Sequence, residues 1–230
     1  MGKKKAKGGD AWEDPEVLAE QISKTEQFFK DHKSLVAIIA TVVVVLVGGF
    51  AGWRIYSQKQ NQEAQAEMFQ AQFYFEQDSL NLALRGDGNN LGFVTITQDY
   101  PNTAAGNLAN FYVGAIYVKQ GNYDLAKFYL QDFSSNDLLV QARAYSLLGD
   151  ISMEEADYST AIEYYNKAAN YKPNKEFTPV YLKKAAVAYE KQGDLDGAKK
   201  AYKRIIDEFW DSTEYPDARK HFARLGGTES

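Results

Sequence analysis

The sequence predicts an all-α protein, one transmembrane helix followed by a solenoid of helical hairpins, and three observations carry that reading. Leu35–Trp53 is a run of nineteen residues without a formal charge. As a helix rising about 1.5 Å per residue it matches the roughly 30 Å hydrocarbon core of a bilayer. Downstream, small residues recur in phase three times, at spacings of 35 and 37 residues, with bulky, mostly aromatic residues at matching offsets. Between them a turn signal recurs at the same interval.

The span comes first because it decides where everything else can lie. It is placed at residues 34–53, with 1–33 before it, a stalk at 54–63 and one domain over 64–230. Val42–Val45 is a β-branched block unsuited to a soluble helix. In lipid it must close its own backbone hydrogen bonds and so is held helical. Thirty-four residues precede the run, too many for the n-region of a signal peptide. Lys3, Lys4, Lys5, Lys7, Lys24, Lys30 and Lys33 stand before it, against Arg54 and Lys59 shortly after. That excess predicts a cytoplasmic N-terminus and an external domain, periplasmic in a bacterial inner membrane. Phe28 and Phe29 on one side, with Trp53, Arg54 and Tyr56 on the other, suit the two membrane interfaces. Ala37, Thr41, Gly48 and Gly52 fall on one stripe of the span, a small-residue face that could pack against another membrane helix.

Composition narrows the chemistry. The chain carries 26 basic and 31 acidic residues and no cysteine. No basic stripe is available for a phosphate backbone, so no nucleic-acid partner is expected. Disulfides, thiolate metal sites and cysteine nucleophiles are excluded. No Asn-x-Ser/Thr sequon occurs, which disfavours a eukaryotic lumenal domain.

Along the chain, residues 1–13 are Lys/Gly-rich and expected to be disordered. Asp14-Pro15-Glu16 reads as a helix start. Leu18, Ile22 and Phe29 come next on one face, which with Phe28 suggests an amphipathic approach to the membrane surface. Ser57–Gln65 is glutamine-rich and helix-permissive. Gln27-Phe28-Phe29 before the span and Gly52-Trp53-Arg54-Ile55-Tyr56 at its far end resemble the YfgM-type membrane proteins of the bacterial envelope, as does the layout of cytosolic segment, span and periplasmic repeats. The resemblance implies an ancillary subunit of the Sec translocon. Its implied partners are the translocon channel, a membrane-anchored periplasmic prolyl-isomerase-type chaperone and emerging polypeptides. A structural adaptor in outer-membrane or cell-wall biogenesis is the alternative.

Ala64–Leu84 is expected to be one helix, with Ala66, Phe69, Phe73 and Leu80 at helical spacings. Arg85–Asn90 breaks it; its Arg-Gly-Asp tripeptide reads as a turn. Leu91–Asp99 is a short helix closed by Tyr100-Pro101-Asn102-Thr103, and 64–103 makes a degenerate first unit. Clear units lie at about 107–140, 142–175 and 179–212. Gly114, Gly149 and Ala186 align on their first helices, and Ala126, Ala161 and Ala198 on their second. Tyr117, Ser152 and Tyr189, then Leu130, Tyr165 and Tyr202, stand at matching offsets. The turns are Gly121-Asn122-Tyr123, Ala156-Asp157-Tyr158 and Gly193-Asp194-Leu195. This pattern resembles the tetratricopeptide repeat. Small residues let paired helices approach, and bulky residues fill the gaps between neighbours. Residues 215–225, opened by Pro216-Asp217, serve as a cap helix.

In such domains the first helices line a concave face. In this phase the lining is Leu108, Phe111, Ala115 and Val118, then Arg143, Ser146, Asp150 and Met153, then Val180, Lys183, Val187 and Glu190. Mixed apolar and charged groups suit an extended polypeptide or a partner helix. His32 and His221 stand alone and read as solvent-facing. Glu154-Glu155 and Asp207-Glu208 are adjacent acids pointing in different directions. No phosphate loop and no nucleophile motif occurs. The expectation is a non-enzymatic interaction module with no cofactor and no metal.

Overall fold

The structure is a computed structural model that describes residues 26–228. The expected helix start at Asp14, with Leu18, Ile22 and the lysines up to Lys24, lies outside the described residues. The chain divides into two compact units, residues 1–56 and 57–230.

Among the described residues of the first unit the chain is helical, and its apolar side chains face outward. Helix α1 is continuous over Lys33–Glu76, 44 residues in all. One stretch of it, with a mean hydropathy of 2.7, is long and apolar enough to cross a membrane. Thr41 satisfies its hydroxyl on its own helix, donating from Oγ1 to the Ala37 carbonyl at 2.8 Å. That bond pairs the one polar side chain of the stripe within its own helix, as a helix in lipid would require.

The second unit contains, among its described residues, the C-terminal turns of α1 and nine further helices. They are α2 (Leu80–Arg85), α3 (Phe93–Asp99), α4 (Ala104–Lys119), α5 (Tyr123–Asp132), α6 (Val140–Glu154), α7 (Tyr158–Asn170), α8 (Thr178–Gln192), α9 (Leu195–Glu208) and α10 (Tyr215–Arg224). Helices α4 and α5, α6 and α7, and α8 and α9 form antiparallel hairpins, and each hairpin packs on the next.

The same turn joins the helices of each hairpin. Gly121, Ala156 and Gly193 all take left-handed backbone, with φ of 72°, 59° and 88°. The residue after each donates its N–H five positions back, Asn122 to Tyr117, Asp157 to Ser152 and Asp194 to Tyr189, each at 2.9 Å. Those bonds satisfy carbonyls the first helix leaves orphaned. The side chain of that residue then caps the second helix, accepting from the backbone N–H of Leu125, Thr160 and Gly197. Ala156 is the one turn position of the three without glycine, and it holds a conformation that is costly for a residue with a Cβ.

Close approach within a hairpin requires the small residues. A Cβ on Gly114 would stand 2.5 Å from the Leu130 Cγ, and one on Gly149 would stand 2.6 Å from the Tyr165 ring. Both are distances that no real packing permits. In the third hairpin Ala186 and Tyr202 share one buried cluster instead. Four such clusters succeed one another from α1 to α10.

Two features of the first unit of the repeat domain differ from the sequence reading. The helix expected through Leu84 ends at Glu76, and Asp78 turns left-handed with φ 55°. Ser79 donates to the Tyr74 carbonyl at 2.8 Å, closing the helix. The break lets Ala83 and Leu84 pack against Phe93 and Ile96. The buried face of α1 is Ala64, Met68 and Ala71, whereas Ala66, Phe69 and Phe73 face outward, Phe69 at 72% exposure. Small residues win the inner face because α4 presents Ala105 and Ala109 to it.

Candidate functional site

The first helices of the hairpins, α4, α6 and α8, carry a recess of about 290 Å³ lined by Phe111, Leu139, Val140, Arg143, Phe177 and Tyr181. That volume sits at the bottom of the roughly 300–1,000 Å³ range of small-molecule sites. It suits one large side chain rather than a cofactor.

Two loops of similar design hold its rim. The Asp137 carboxylate accepts from the backbone N–H of Leu139 at 2.8 Å and of Val140 at 3.0 Å. Those bonds hold its carboxyl below the usual range. Thirty-seven residues on, the Asn174 side chain accepts from Glu176 at 3.2 Å and Phe177 at 2.9 Å. Each device fixes an apolar residue at the mouth of a helix, so Leu139 and Phe177 remain exposed at 44% and 41%. Exposed apolar side chains grouped around a recess are a recognition feature. Burial raises the pKa of the Tyr181 hydroxyl at the recess floor, with the Arg143 charge acting against it.

Phe111 and Arg143 are the expected lining residues that meet in this recess. Leu108, one turn earlier on α4, lines a second recess of about 260 Å³ with Ala104 and Ala105 of α4 and Gln65, Met68 and Gln72 of α1. Ala115 and Val118 are half-buried against Leu147, Leu148 and Ile151 and join two units. Ser146 is a correction: it is fully buried and lies behind the face, its Oγ accepting from Lys184 Nζ at 3.1 Å. Asp150 accepts from the same Nζ at 2.7 and 2.8 Å and from the Tyr165 hydroxyl at 2.7 Å. Burial and that carboxylate drive the Tyr165 pKa up. Met153 packs half-buried against Ala161 and Ala185. Val180 is half-buried and Val187 exposed.

Lys183 and Glu190 belong to the cap. Lys183 pairs with Asp217 of α10 at 2.5 Å. Glu190 accepts from Arg224 of α10 and from the Tyr202 hydroxyl, the latter at 2.9 Å. Burial alone would raise the Glu190 carboxyl; the hydrogen bonds from Arg224 and Tyr202 outweigh it and hold the carboxyl below its ordinary value. The hydrogen bond from Lys183 lowers Asp217 likewise. His221, expected in solvent, is half-buried and stacks on Tyr202 with ring centroids 5.3 Å apart.

The remaining expected residues lie on the span and its borders. Nothing stands within 4 Å of a Cβ built on Gly48 or Gly52, and Ala37 and Thr41 are exposed on the same helix. Phe28, Phe29, Trp53, Arg54 and Tyr56 are all exposed. The Asp87 carboxylate of the Arg-Gly-Asp turn accepts from the Tyr74 hydroxyl, from the Asn90 amide and from two backbone N–H groups. It is committed within the loop and offers nothing to a ligand.

Residues 26–219 match the family of tetratricopeptide repeat-like domains. The chain belongs to this family. Its repeated Gly/Ala positions and turn caps are the features that make the tetratricopeptide repeat a stack of hairpins. No curated protein matches the chain. Domains of this kind serve as protein-interaction scaffolds. Among the described residues no group of three His, Asp or Glu could hold a metal, and the tetratricopeptide repeat domain offers recesses sized for side chains.

The signal for Phe111 and Arg143 was the repeat phase. Leu139, Val140 and Phe177 lie at or just before helix starts, where periodicity carries no information. Their signal is the Asp137/Asn174 pair at the repeat spacing, each two or three residues before an apolar residue.

Proposed function

We propose that this protein is a membrane-anchored, non-enzymatic adaptor that binds polypeptide on the first-helix face of its repeat domain. In this reading the N-terminus is cytoplasmic and the repeats are periplasmic, anchored in a bacterial inner membrane as an ancillary subunit of the Sec translocon. The bound polypeptide belongs to a membrane-anchored chaperone of the prolyl-isomerase type or emerges from the channel. The observation that carries the binding reading is the apolar recess, with exposed Leu139 and Phe177 at its rim. The apolar stretch of α1 and the lysine excess before it support the anchor and its direction.

Purification of the full-length chain in mild detergent tests this. The translocon channel and the chaperone are expected to co-purify, and recovery is expected to fall when Leu139 and Phe177 are both replaced by serine. Recovery of outer-membrane assembly proteins instead would overturn the translocon assignment. Equal recovery by the double variant would remove the recess from it. Leucine at Gly48 and Gly52 tests the span separately, since insertion should persist while any contact made by the glycine stripe is lost.

A further inference from the structure

Resting on the reading of the first-helix face as a polypeptide site, we propose that the recess is selective. It takes a large apolar side chain from an extended segment that carries a carboxylate beside it, with Arg143 as the docking cation. The occupant is thus an acidic-apolar segment of another polypeptide.

Charge pairing singles out Arg143. Three charged residues were expected on this face of α6 and α8 besides it, and the fold neutralises them. Asp150 is held by Lys184, Lys183 by Asp217, and Glu190 by Arg224. Arg143 is exposed, lines the recess, and makes no hydrogen bond or ion pair among the described residues. Nearby acids do not meet it. Asp137 is engaged by the backbone N–H groups of Leu139 and Val140, and Glu176, beside Phe177, forms no ion pair with it. The net offering of this end of the face is a guanidinium over an apolar floor. A guanidinium presents a planar fork of donors that a carboxylate accepts in bidentate fashion.

The geometry favours an extended segment. The recess holds one side chain, and the second recess opens on the same helix, Leu108 and Phe111 standing one turn apart. Alternate side chains of a strand point the same way, about 6.6 Å apart. A segment laid across α4 can therefore place one side chain in each recess while an intervening residue meets solvent or Arg143. The flanking acid gains from partial exclusion of water at the rim, and the apolar side chain excludes that water.

Fluorescence anisotropy on the full-length protein in lipid nanodiscs tests the proposal. The probes are fluorescein-labelled nonapeptides with a central phenylalanine flanked by aspartates, by asparagines, or with alanine replacing the phenylalanine. At low salt the aspartate peptide is expected to bind about tenfold more tightly than the asparagine peptide. The alanine peptide is expected to show no measurable binding. Arg143→Gln should bring the aspartate peptide down to the asparagine peptide, whose own affinity stays put, while Arg143→Lys keeps part of the preference. Phe177→Ser should weaken both phenylalanine peptides together.

Equal binding of the aspartate and asparagine peptides would overturn the selectivity and leave the polypeptide-site reading intact. Failure of all three to saturate would overturn both. A concentration-dependent dimer that the peptides disperse equally would overturn it in favour of a second copy as the natural occupant.

Discussion

The two ends of the first-helix face look equivalent in sequence and are opposites in the fold. At one end Arg143 stands unpaired beside a recess rimmed by exposed Leu139 and Phe177. At the other, Lys183 and Glu190, expected on the same face from the repeat phase, are both bound into α10 through Asp217 and Arg224. The difference arises from the element packed beyond each unit. The third hairpin is covered by a helix whose acid and base meet its charges, and whose His221 stacks on its Tyr202. The recess end has two helix starts around it and no described element across its mouth. A terminal helix thus does more than shield apolar surface: it also decides which charges on the face remain free for a partner.

The comparison breaks most completely at Tyr202. Its ring is fully buried, stacked on His221, and its hydroxyl donates to Glu190. Tyr202→Ala is expected to destabilise the domain by about 3–5 kcal/mol, a fall in Tm of roughly 10 °C. Hydrogen exchange should show α10 losing protection before α4–α6. Uniform loss would mean that the cap and the recess end are one cooperative element.

Acid should open the same end more gently. Glu190 and Asp217 both hold carboxyls below their unfolded values. A carboxyl depressed on folding contributes its stability above the unfolded pKa and loses it as pH falls through the folded one. The cap contribution is therefore full at neutral pH and declines below about pH 4.5. Melting curves from pH 7 to pH 3 should show this decline, and a Glu190→Gln variant should show a shallower one. Identical slopes would place the acid response elsewhere.

Ala156 lies between the two ends, in the turn of the second hairpin. It is exposed and left-handed, so Ala156→Gly loses no packing and relieves strain. A gain of about 0.5 kcal/mol is expected, read as a small rise in Tm. A fall would show that the extra unfolded-chain entropy of glycine outweighs the relief. At the recess end Leu139→Ser should leave the melting temperature nearly unchanged, within about 0.5 kcal/mol, because the side chain is already exposed. It should nonetheless reduce peptide binding severalfold. A large stability loss would make Leu139 a core residue and weaken the recess reading.

Much of the fold was legible from local chemistry. Gly121, Gly193 and the capping residues Asn122, Asp157 and Asp194 announce a helix stop and start within three residues, and their bonds are local in sequence. Gly114 and Gly149 announce a close approach because only one residue type survives there. The break after Glu76 carried no such mark. Asp78 adopts left-handed backbone without being glycine, held by a bond between Ser79 and Tyr74. Which of two apolar stripes on α1 faced inward was equally hidden, since Phe69 and Phe73 are the more hydrophobic set and Ala64 and Ala71 the better fit.

The sequence by itself determined the fold class, the family and the presence of a helix able to cross a membrane. Each rests on repeating or contiguous patterns whose physics is local: an uncharged run, an Asx cap, a glycine under a tyrosine ring. Tertiary structure alone decided which charges are paired. Asp150 meets Lys184 across 34 residues of chain, and Glu190 meets Arg224 across the same separation. Arg143 finds no counterpart among the described residues. Pairing of that kind depends on the angle at which neighbouring hairpins stack, a property of many weak contacts together that no short stretch of residues encodes.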